Sequence, residues 1–271
     1  MATRTLSASI ALLLAVGTAA FVLSRLHKPP VVTLERSGPP RADSCVVLLH
    51  GLVRTGASMA RLAGHLANEG HAVVVADYPS RRFPIETLAR MTVPPALDAC
   101  RANGATTVHA VTHSLGGILL RRHLAEREEP ALGRVVMLAP PNRGSEIVDA
   151  IGGLPGYRLV NGPAGLELGT GTDALAERLG PTTADVAVIS GTRSINLILS
   201  LWLPNPDDGK VSLASARLDG MCAFLAVPVS HPFVMKDRKV IDEVASYLAT
   251  GRLRSPDAEY PPCPARGTDA A

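Results

Sequence analysis

The stretch VTHSLGGILL, residues 111–120, sets Ser114 between a short apolar strand pattern and the start of a helical pattern. A serine in a sharp strand-to-helix turn projects its hydroxyl clear of the sheet, where the hydroxyl can act as a nucleophile. Such a turn needs small residues two positions before and two after the serine, and Thr112 and Gly116 stand there. Thr112 departs from the usual glycine. The stretch therefore predicts a nucleophile only if the chain also supplies a base and an acid.

The base and the acid are expected later in the chain, because this turn orders its partners as serine, acid, histidine. Of the eight histidines, only His231 lies beyond the helix after Ser114 and follows a late strand pattern, CAFLAVPVSHPF. The acid is sought in the loop LPNPDDGKVS, which offers Asp207 and Asp208. An aspartate here could orient the imidazole and stabilise its protonated form, although an aspartate before glycine is also an ordinary turn residue. Weaker candidates for the acid are Asp149, Asp185 and Asp219.

A second part of the site is predicted in LLHGLVRTGAS, where a strand ends at His50-Gly51. The backbone amides of Leu52 and Leu115 are expected to form an oxyanion hole, in which each donor contributes about 3 kcal/mol to transition-state stabilisation. We interpret His50 as a structural residue that shapes this loop, not as the base. His113 adjoins the serine, and we expect its side chain to point elsewhere.

The elements that must hold these residues alternate along the chain. Continuous apolar runs such as SCVVLLH, HAVVVADY and GRVVMLAPP are typical of strands that are covered on both faces. Helical patterns separate these runs, and the repetition predicts a parallel sheet with right-handed crossovers. The fold class is therefore α/β, with a mostly parallel central sheet and helices on both faces, over residues 44–250.

Three segments depart from this alternation. Residues 141–184 are rich in glycine, with eight glycines between Ile151 and Gly180, and we expect a lid or cap insertion that is irregular and mobile. Residues 29–43 are a proline-rich linker. Residues 251–271 have the composition of a disordered tail.

The first 28 residues include LSASIALLLAVGTAAFVL, an uncharged run of eighteen residues from Leu6 to Leu23. The run fits either a cleaved signal peptide or an uncleaved membrane anchor, since its length approaches that of a membrane-spanning helix. We predict a protein that is exported (periplasmic or secreted) or attached to a membrane. The net charge is +3 and the basic residues are interspersed, so no nucleic-acid partner is expected.

Four widely spaced cysteines, Cys45, Cys100, Cys222 and Cys263, form no CxxC pair. A metal site is therefore not expected, and neither is a cofactor. Cys45 and Cys222 lie in or beside apolar runs, as small buried hydrophobic residues do. In an exported chain one disulfide would be permitted, with a pairing that the sequence does not choose.

Taken together, these pieces resemble the α/β-hydrolase superfamily and, within it, bacterial serine lipases and esterases. The matching segments are LLHGL, HSLGG, LAPPNRGS, DDGKVS and VSHPF, in family order across about residues 45–248. The resemblance implies Asp208 as the acid, with Asp207 standing where asparagine is common, and His231 as the base. It implies hydrolysis of small-molecule or lipid esters through an acyl-enzyme. Two alternatives stay open: an acyltransferase or thioesterase with the same triad, and a catalytically silent scaffold that binds a partner.

Overall fold

The computed structural model describes residues 32–38, 43–171, 173–195 and 200–264. The predicted signal peptide or anchor, residues 1–28, lies outside these ranges. In the part of the chain that is described, no helix has both the length and the apolar character needed to cross a membrane.

Seven strands form one sheet in the order β1-β3-β2-β4-β5-β6-β7. Strands β2 to β7 are parallel, and β1 is an outermost strand that pairs antiparallel with β3. The strands are β1 Thr33–Ser37, β2 Ser44–Leu49, β3 Ala72–Asp77, β4 Thr107–His113, β5 Leu132–Leu138, β6 Val186–Gly191 and β7 Ala223–Val227. The predicted α/β class with a mostly parallel sheet is confirmed.

Helices cover both faces of the sheet. They are α1 Ala60–Asn68, α2 Ile85–Ala102, α3 Leu115–Leu124, α4 Glu146–Ile151, α5 Tyr157–Leu166, α6 Leu175–Arg178, α7 Leu213–Ala216 and α8 Arg238–Thr250, with short 3-10 helices at Gly56–Met59 and Val234–Lys236. Alternate residues of β2 enter opposite cores: Val47 packs with residues of α2 and α3, and Val46 with residues of α1 and α8. Burial on both faces explains why the strands read as unbroken apolar runs.

The glycine-rich insertion contains three helices, α4, α5 and α6, where an irregular segment was predicted. Buried Arg121 of α3 ties it to the domain, because the guanidinium donates to the carbonyl oxygens of Asn142, Ala176 and Gly180 at 2.7, 2.9 and 2.8 Å. Glycine allows a close approach at residue 162, where φ is 68° and an added Cβ would lie 1.9 Å from the Arg81 oxygen. Glycine here permits tight backbone packing, which composition alone did not reveal.

Two segments predicted to lack regular structure are held against the sheet. Strand β1 lies within the predicted linker and pairs with β3. Residues 251–264 were assigned to a disordered tail, but Glu259 forms a β-bridge with Phe224 and accepts hydrogen bonds from Arg217. A disulfide between Cys222 and Cys263 closes the same segment. These bonds offset the polar composition on which the prediction of disorder rested.

The cysteines form two disulfides, Cys45–Cys100 and Cys222–Cys263. The sequence suggested small buried hydrophobic residues at Cys45 and Cys222 and allowed one disulfide without choosing its pairing, so the presence of two disulfides is a correction. Cys45 is still fully buried in β2, because a cystine packs as an apolar group.

Candidate active site

The carboxyl ends of the parallel strands form the edge of the sheet where the predicted polar residues meet. We call this end of the strands the carboxyl edge, and the end where the parallel strands begin the amino edge. Neither name refers to the outermost strands, β1 and β7. His231 Nε2 lies 3.1 Å from Ser114 Oγ, and His231 Nδ1 lies 2.7 Å from Asp208 Oδ2. All three residues are buried. The structure thus brings together three side chains that are separated by up to 117 positions in the sequence.

Ser114 occupies a sharp turn between β4 and α3. Its φ is 52° and ψ is −120°, a strained backbone conformation for a residue with a Cβ. The Ser114 amide donates to the Leu138 oxygen at 2.9 Å, which ties the turn to β5. Gly116 allows the turn to approach β2, since an added Cβ would lie 2.6 Å from the Leu49 oxygen. The departure at Thr112 is accommodated inside the core, where that residue is fully buried.

The two aspartates of the acid loop have different partners. Asp208 Oδ1 accepts the backbone amides of Lys210 and Val211 at 2.9 and 2.8 Å, which leaves Oδ2 directed at the imidazole. Asp207 Oδ1 instead accepts the Gly209 amide at 2.7 Å and the Ser200 hydroxyl at 2.8 Å. Asp207 therefore builds the turn, and Asp208 is the aspartate that contacts His231.

The His231 ring is oriented through both its side chain and its backbone. Its backbone amide donates to the backbone carbonyl oxygen of Asp208 at 3.0 Å, and its own carbonyl oxygen lies 3.1 Å from His113 Nε2. Because an ionised carboxylate only accepts hydrogen bonds, Nδ1 carries the proton facing Asp208. Nε2 is then free to accept the proton of the Ser114 hydroxyl.

The His113 side chain was predicted to point elsewhere, but it lies beside His231 and contacts the His231 backbone. Its ring is buried with its centroid 4.9 Å from that of His231. Burial, and next the neighbouring His231, lower the pKa of His113 well below its ordinary value. A neutral ring can donate from Nε2 to the His231 oxygen and so fix the position of the loop. No local signal marked this role, since the two residues are 118 positions apart.

The loop after β2 passes directly against the serine. An added Cβ on Gly51 would lie 3.1 Å from Ser114 Cβ, and Leu52 is the next residue in this loop. Leu115, the second predicted oxyanion donor, is the first residue of α3, where backbone amides have no acceptor within the helix. These positions suit the predicted oxyanion donors, and that role stays a prediction.

Side chains from β3 and the following loop hold the Leu52 loop in place. His50 Nδ1 donates to the Gly51 oxygen at 2.8 Å, and Nε2 accepts the Tyr78 amide at 3.2 Å. The two rings stack 4.0 Å apart, and the Tyr78 hydroxyl donates to the His50 oxygen. The Val53 amide donates to Ser80 Oγ at 3.2 Å, and Val53 has a φ of 58°. His50 thus shapes the loop, as the sequence suggested, and Val53 is strained within it.

The match to a known family follows from this arrangement. The profile described as "Alpha/beta hydrolase family" matches residues 46–266, which is most of the chain and includes every element of the site. The chain belongs to the alpha/beta hydrolase family. A search among curated proteins finds no match.

Solved structures of a lipase, an esterase and a phospholipase share the fold. The mature form of a lipase from Bacillus licheniformis aligns with a TM-score of 0.58 and 17% identity, over 77% of this chain and 94% of that one. An esterase from a Rhodococcus species aligns with a TM-score of 0.52 and 17% identity, over 81% of this chain and 94% of that one. A phospholipase from Legionella pneumophila aligns with a TM-score of 0.54 and 19% identity, over 64% of this chain but only 45% of that one.

The remaining acid candidates of this alpha/beta hydrolase have other partners. Asp149 accepts from Thr170, Asp219 pairs with Arg143, and Asp185 accepts from the Tyr247 hydroxyl. Within the described ranges, one group has metal-ligand atoms within 4.8 Å of one another: Asp185, Cys222 and Cys263. Both of its sulfurs are joined in a disulfide, so they are not thiolate ligands.

Basic residues add a positive field beside the site. Desolvation, and next Arg54, lower the pKa of Lys210, while Asp208 raises it. Arg54 also contributes to the lowered pKa of His113. A positive potential at this position favours developing negative charge on a reacting oxygen.

Proposed function

We propose that this alpha/beta hydrolase cleaves carboxylic esters through an acyl-enzyme, with Ser114 as the nucleophile, His231 as the general base and Asp208 as the orienting acid. The observation that supports it is the continuous relay from hydroxyl to imidazole to carboxylate, with steps of 3.1 and 2.7 Å. Both steps are within the reach needed for proton transfer and orientation.

In the first half of the proposed reaction, Ser114 Oγ attacks the ester carbonyl carbon while His231 Nε2 takes the hydroxyl proton. The amides of Leu52 and Leu115 stabilise the oxyanion, and Asp208 stabilises the imidazolium. The proton then passes from Nε2 to the leaving alkoxide, and the alcohol departs from the acyl-enzyme.

In the second half, water replaces the alcohol. His231 takes a proton from the attacking water, a second tetrahedral intermediate forms, and its collapse returns the proton to Ser114 Oγ. The products are one carboxylic acid and one alcohol for each ester and water consumed. No metal or cofactor takes part in these steps.

The test is Ser114→Ala, assayed with p-nitrophenyl butyrate and with a fluorophosphonate label. We expect turnover and labelling to be lost while the circular dichroism spectrum and melting temperature are retained. The matched control is Ser58→Ala at the same edge, whose hydroxyl donates to the Thr55 oxygen; it should keep both. Unchanged turnover in Ser114→Ala would reject the assignment.

The same experiment separates the alternatives that share this site. Labelling of Ser114 without ester hydrolysis, together with product formed only when an acceptor alcohol is added, would indicate an acyltransferase. The absence of both labelling and turnover in the unmodified chain would indicate a scaffold that binds without catalysis.

A further inference from the structure

Exposed apolar side chains are concentrated at the carboxyl edge. Within the described ranges, the large apolar residues that are exposed follow the carboxyl ends of β2, β5, β6 and β7, with Tyr260 as the exception. They are Val53, Leu154, Leu159, Val160, Leu166, Ile195, Leu201, Trp202 and Phe233. Leu201 and Leu159 are 81% and 77% exposed. Apolar residues gathered on one side of a molecule are characteristic of an interaction surface.

The first strand, β1, begins at the carboxyl edge. Because β1 is antiparallel to β3, its first residue, Thr33, pairs with Asp77, the last residue of β3. The first described strand therefore begins at the carboxyl edge, and the apolar run Leu6–Leu23 precedes that strand in the sequence. Leu23 and Thr33 are ten positions apart (33 − 23), so the connection spans at most roughly 35 Å.

Exposed basic residues lie on the loops after β2 and β6, while the exposed acidic residues Asp149, Asp173 and Glu177 lie in the insertion after β5. Arg54 follows β2, and Arg193 and Lys210 follow β6, all of them exposed, while the two aspartates of the β6 loop are buried. Arg81 and Arg82, half-buried, follow β3. Basic side chains bordering apolar ones are complementary to an anionic lipid surface, where the head groups are negative and the acyl region lies just beneath.

We propose that the carboxyl edge docks on an anionic lipid bilayer, and that the apolar segment Leu6–Leu23 anchors the chain in the same bilayer. The exposed apolar side chains enter the interface while Arg54, Arg193 and Lys210 contact the head groups. In this orientation, the end of the sheet that carries Ser114 faces the membrane. The substrates would be acyl esters that enter from the bilayer, and this last consequence alone rests on the proposed ester hydrolysis.

Trp202, 44% exposed at this edge, is the single tryptophan of the chain and a native probe of docking. The experiment uses the full chain carrying Ser114→Ala, reconstituted in phosphatidylcholine–phosphatidylglycerol vesicles, so that docking is measured without turnover. We expect Trp202 emission at shorter wavelength, strong quenching by lipids with brominated acyl chains and weak quenching by aqueous acrylamide. The intact mass should show that Leu6–Leu23 is retained.

The test variant is Leu201→Asp with Phe233→Asp, which adds two charges to the proposed interface and should abolish quenching by the brominated lipids. The matched control is Ala102→Asp with Ala125→Asp, two exposed alanines at the amino edge, which should leave quenching unchanged. Melting curves establish that both proteins fold.

Several outcomes would overturn the docking proposal. Trp202 fully accessible to acrylamide in the vesicle-bound chain would show that this edge faces water. Protection that disappears at high lipid-to-protein ratio would assign the surface to a second copy of the chain, and a chain cleaved before Val32 would remove the anchor. Quenching by brominated lipids without hydrolysis of vesicle-embedded esters by the unmodified chain would leave docking intact and reject the ester chemistry.

Discussion

The two edges of the sheet differ in how their backbone is held. At the carboxyl edge, Val53, Ser114 and Ala139 follow β2, β4 and β5, and they are the non-glycine residues with positive φ in the described ranges. The amino edge instead carries both disulfides, because Cys45, bonded to Cys100, is the second residue of β2 and Cys222 directly precedes β7. Strained residues thus border the site, and covalent links border the opposite edge.

This contrast shows where the fold tolerates the free-energy cost of a strained backbone. A residue in a strained backbone conformation costs about 1–3 kcal/mol and persists only if its surroundings hold it there. The turn at Ser114 is held by β5 through the Leu138 oxygen, and the Val53 loop by Ser80. The amino edge lies away from the proposed catalytic residues, and its two disulfides stabilise the fold there. Changes at the carboxyl edge should therefore affect mainly turnover, and changes at the amino edge mainly the free energy of unfolding.

The largest effect is expected at the acid. Asp208→Asn can keep the Lys210 and Val211 hydrogen bonds on Oδ1 and present its amide to His231 Nδ1. That amide donates, so Nδ1 must give up its proton and Nε2 becomes protonated, and the ring can no longer accept the proton of Ser114. We expect kcat to fall about 10⁴-fold, with the melting temperature changed far less, as measured by ester hydrolysis and calorimetry.

Asp207→Asn is the control one residue away. Both hydrogen bonds of Asp207 end on Oδ1, and an asparagine oxygen can accept both, so kcat should stay within about tenfold of the parent. Equal losses in the two variants would mean that the loop as a whole, and not the carboxylate facing His231, is what turnover requires.

The disulfide at the amino edge should give the opposite result. Replacing Cys222 and Cys263 by alanine removes a crosslink that spans 41 positions and leaves residues 251–264 held to β7 only by non-covalent contacts such as the bridge between Glu259 and Phe224. Loss of a native disulfide typically costs about 2–5 kcal/mol of unfolding free energy. Chemical denaturation should show this loss, while kcat measured well below the melting temperature stays close to that of the parent. A large fall in kcat at that temperature would show that the two edges are coupled.

A buried histidine near the amino edge should make stability depend on pH. Burial, and next His71, lower the pKa of His109 in β4 to about 4. The folded chain keeps His109 neutral while the unfolded chain binds a proton below its ordinary pKa of about 6.5. The associated stability is therefore complete above pH 6.5 and is lost as the pH falls toward 4, by up to about 3 kcal/mol.

His109→Asn isolates this contribution, because asparagine does not titrate and its oxygen can still accept the Arg134 amide that now donates to Nδ1. Denaturation curves between pH 7 and 4 should have a shallower pH dependence in the variant than in the parent. The comparison concerns the slope and not the absolute stability, which also includes lost packing against Gly133. Equal slopes would assign the acid sensitivity to other groups.

Local pattern accounts for most of what the sequence predicted well. The strands appear as apolar runs because both faces of the sheet are covered, and the turn at Ser114 has a recognisable set of small neighbours. His231 was selected by its order in the chain. The choice of Asp208 over Asp207 came only from the family resemblance, since both aspartates suit a turn and nothing local distinguishes them.

What the sequence could not supply depends on distant contacts or on backbone geometry. The hydrogen bond from His113 to His231 joins residues 118 positions apart, and the disulfides were fixed by folding and not by spacing. Residues 251–264 have a polar composition but are held by a β-bridge and a disulfide. Nothing in the sequence predicted the positive φ of Val53, because a β-branched residue is normally excluded from that conformation.

The smallest effect is expected from relieving that strain. Val53→Asn replaces a β-branched side chain by one that tolerates positive φ, and the site is 45% exposed, so little packing is lost. We expect a gain of about 1 kcal/mol in unfolding free energy, measured by chemical denaturation, with turnover nearly unchanged because the Ser80 contact is made through the Val53 backbone. Val53→Thr keeps the branch and the shape of the side chain and should gain nothing. If asparagine and threonine proved equally stable, the conformation at residue 53 would not be a cost that the carboxyl edge bears, and the contrast with the amino edge would rest on Ser114 and Ala139 alone.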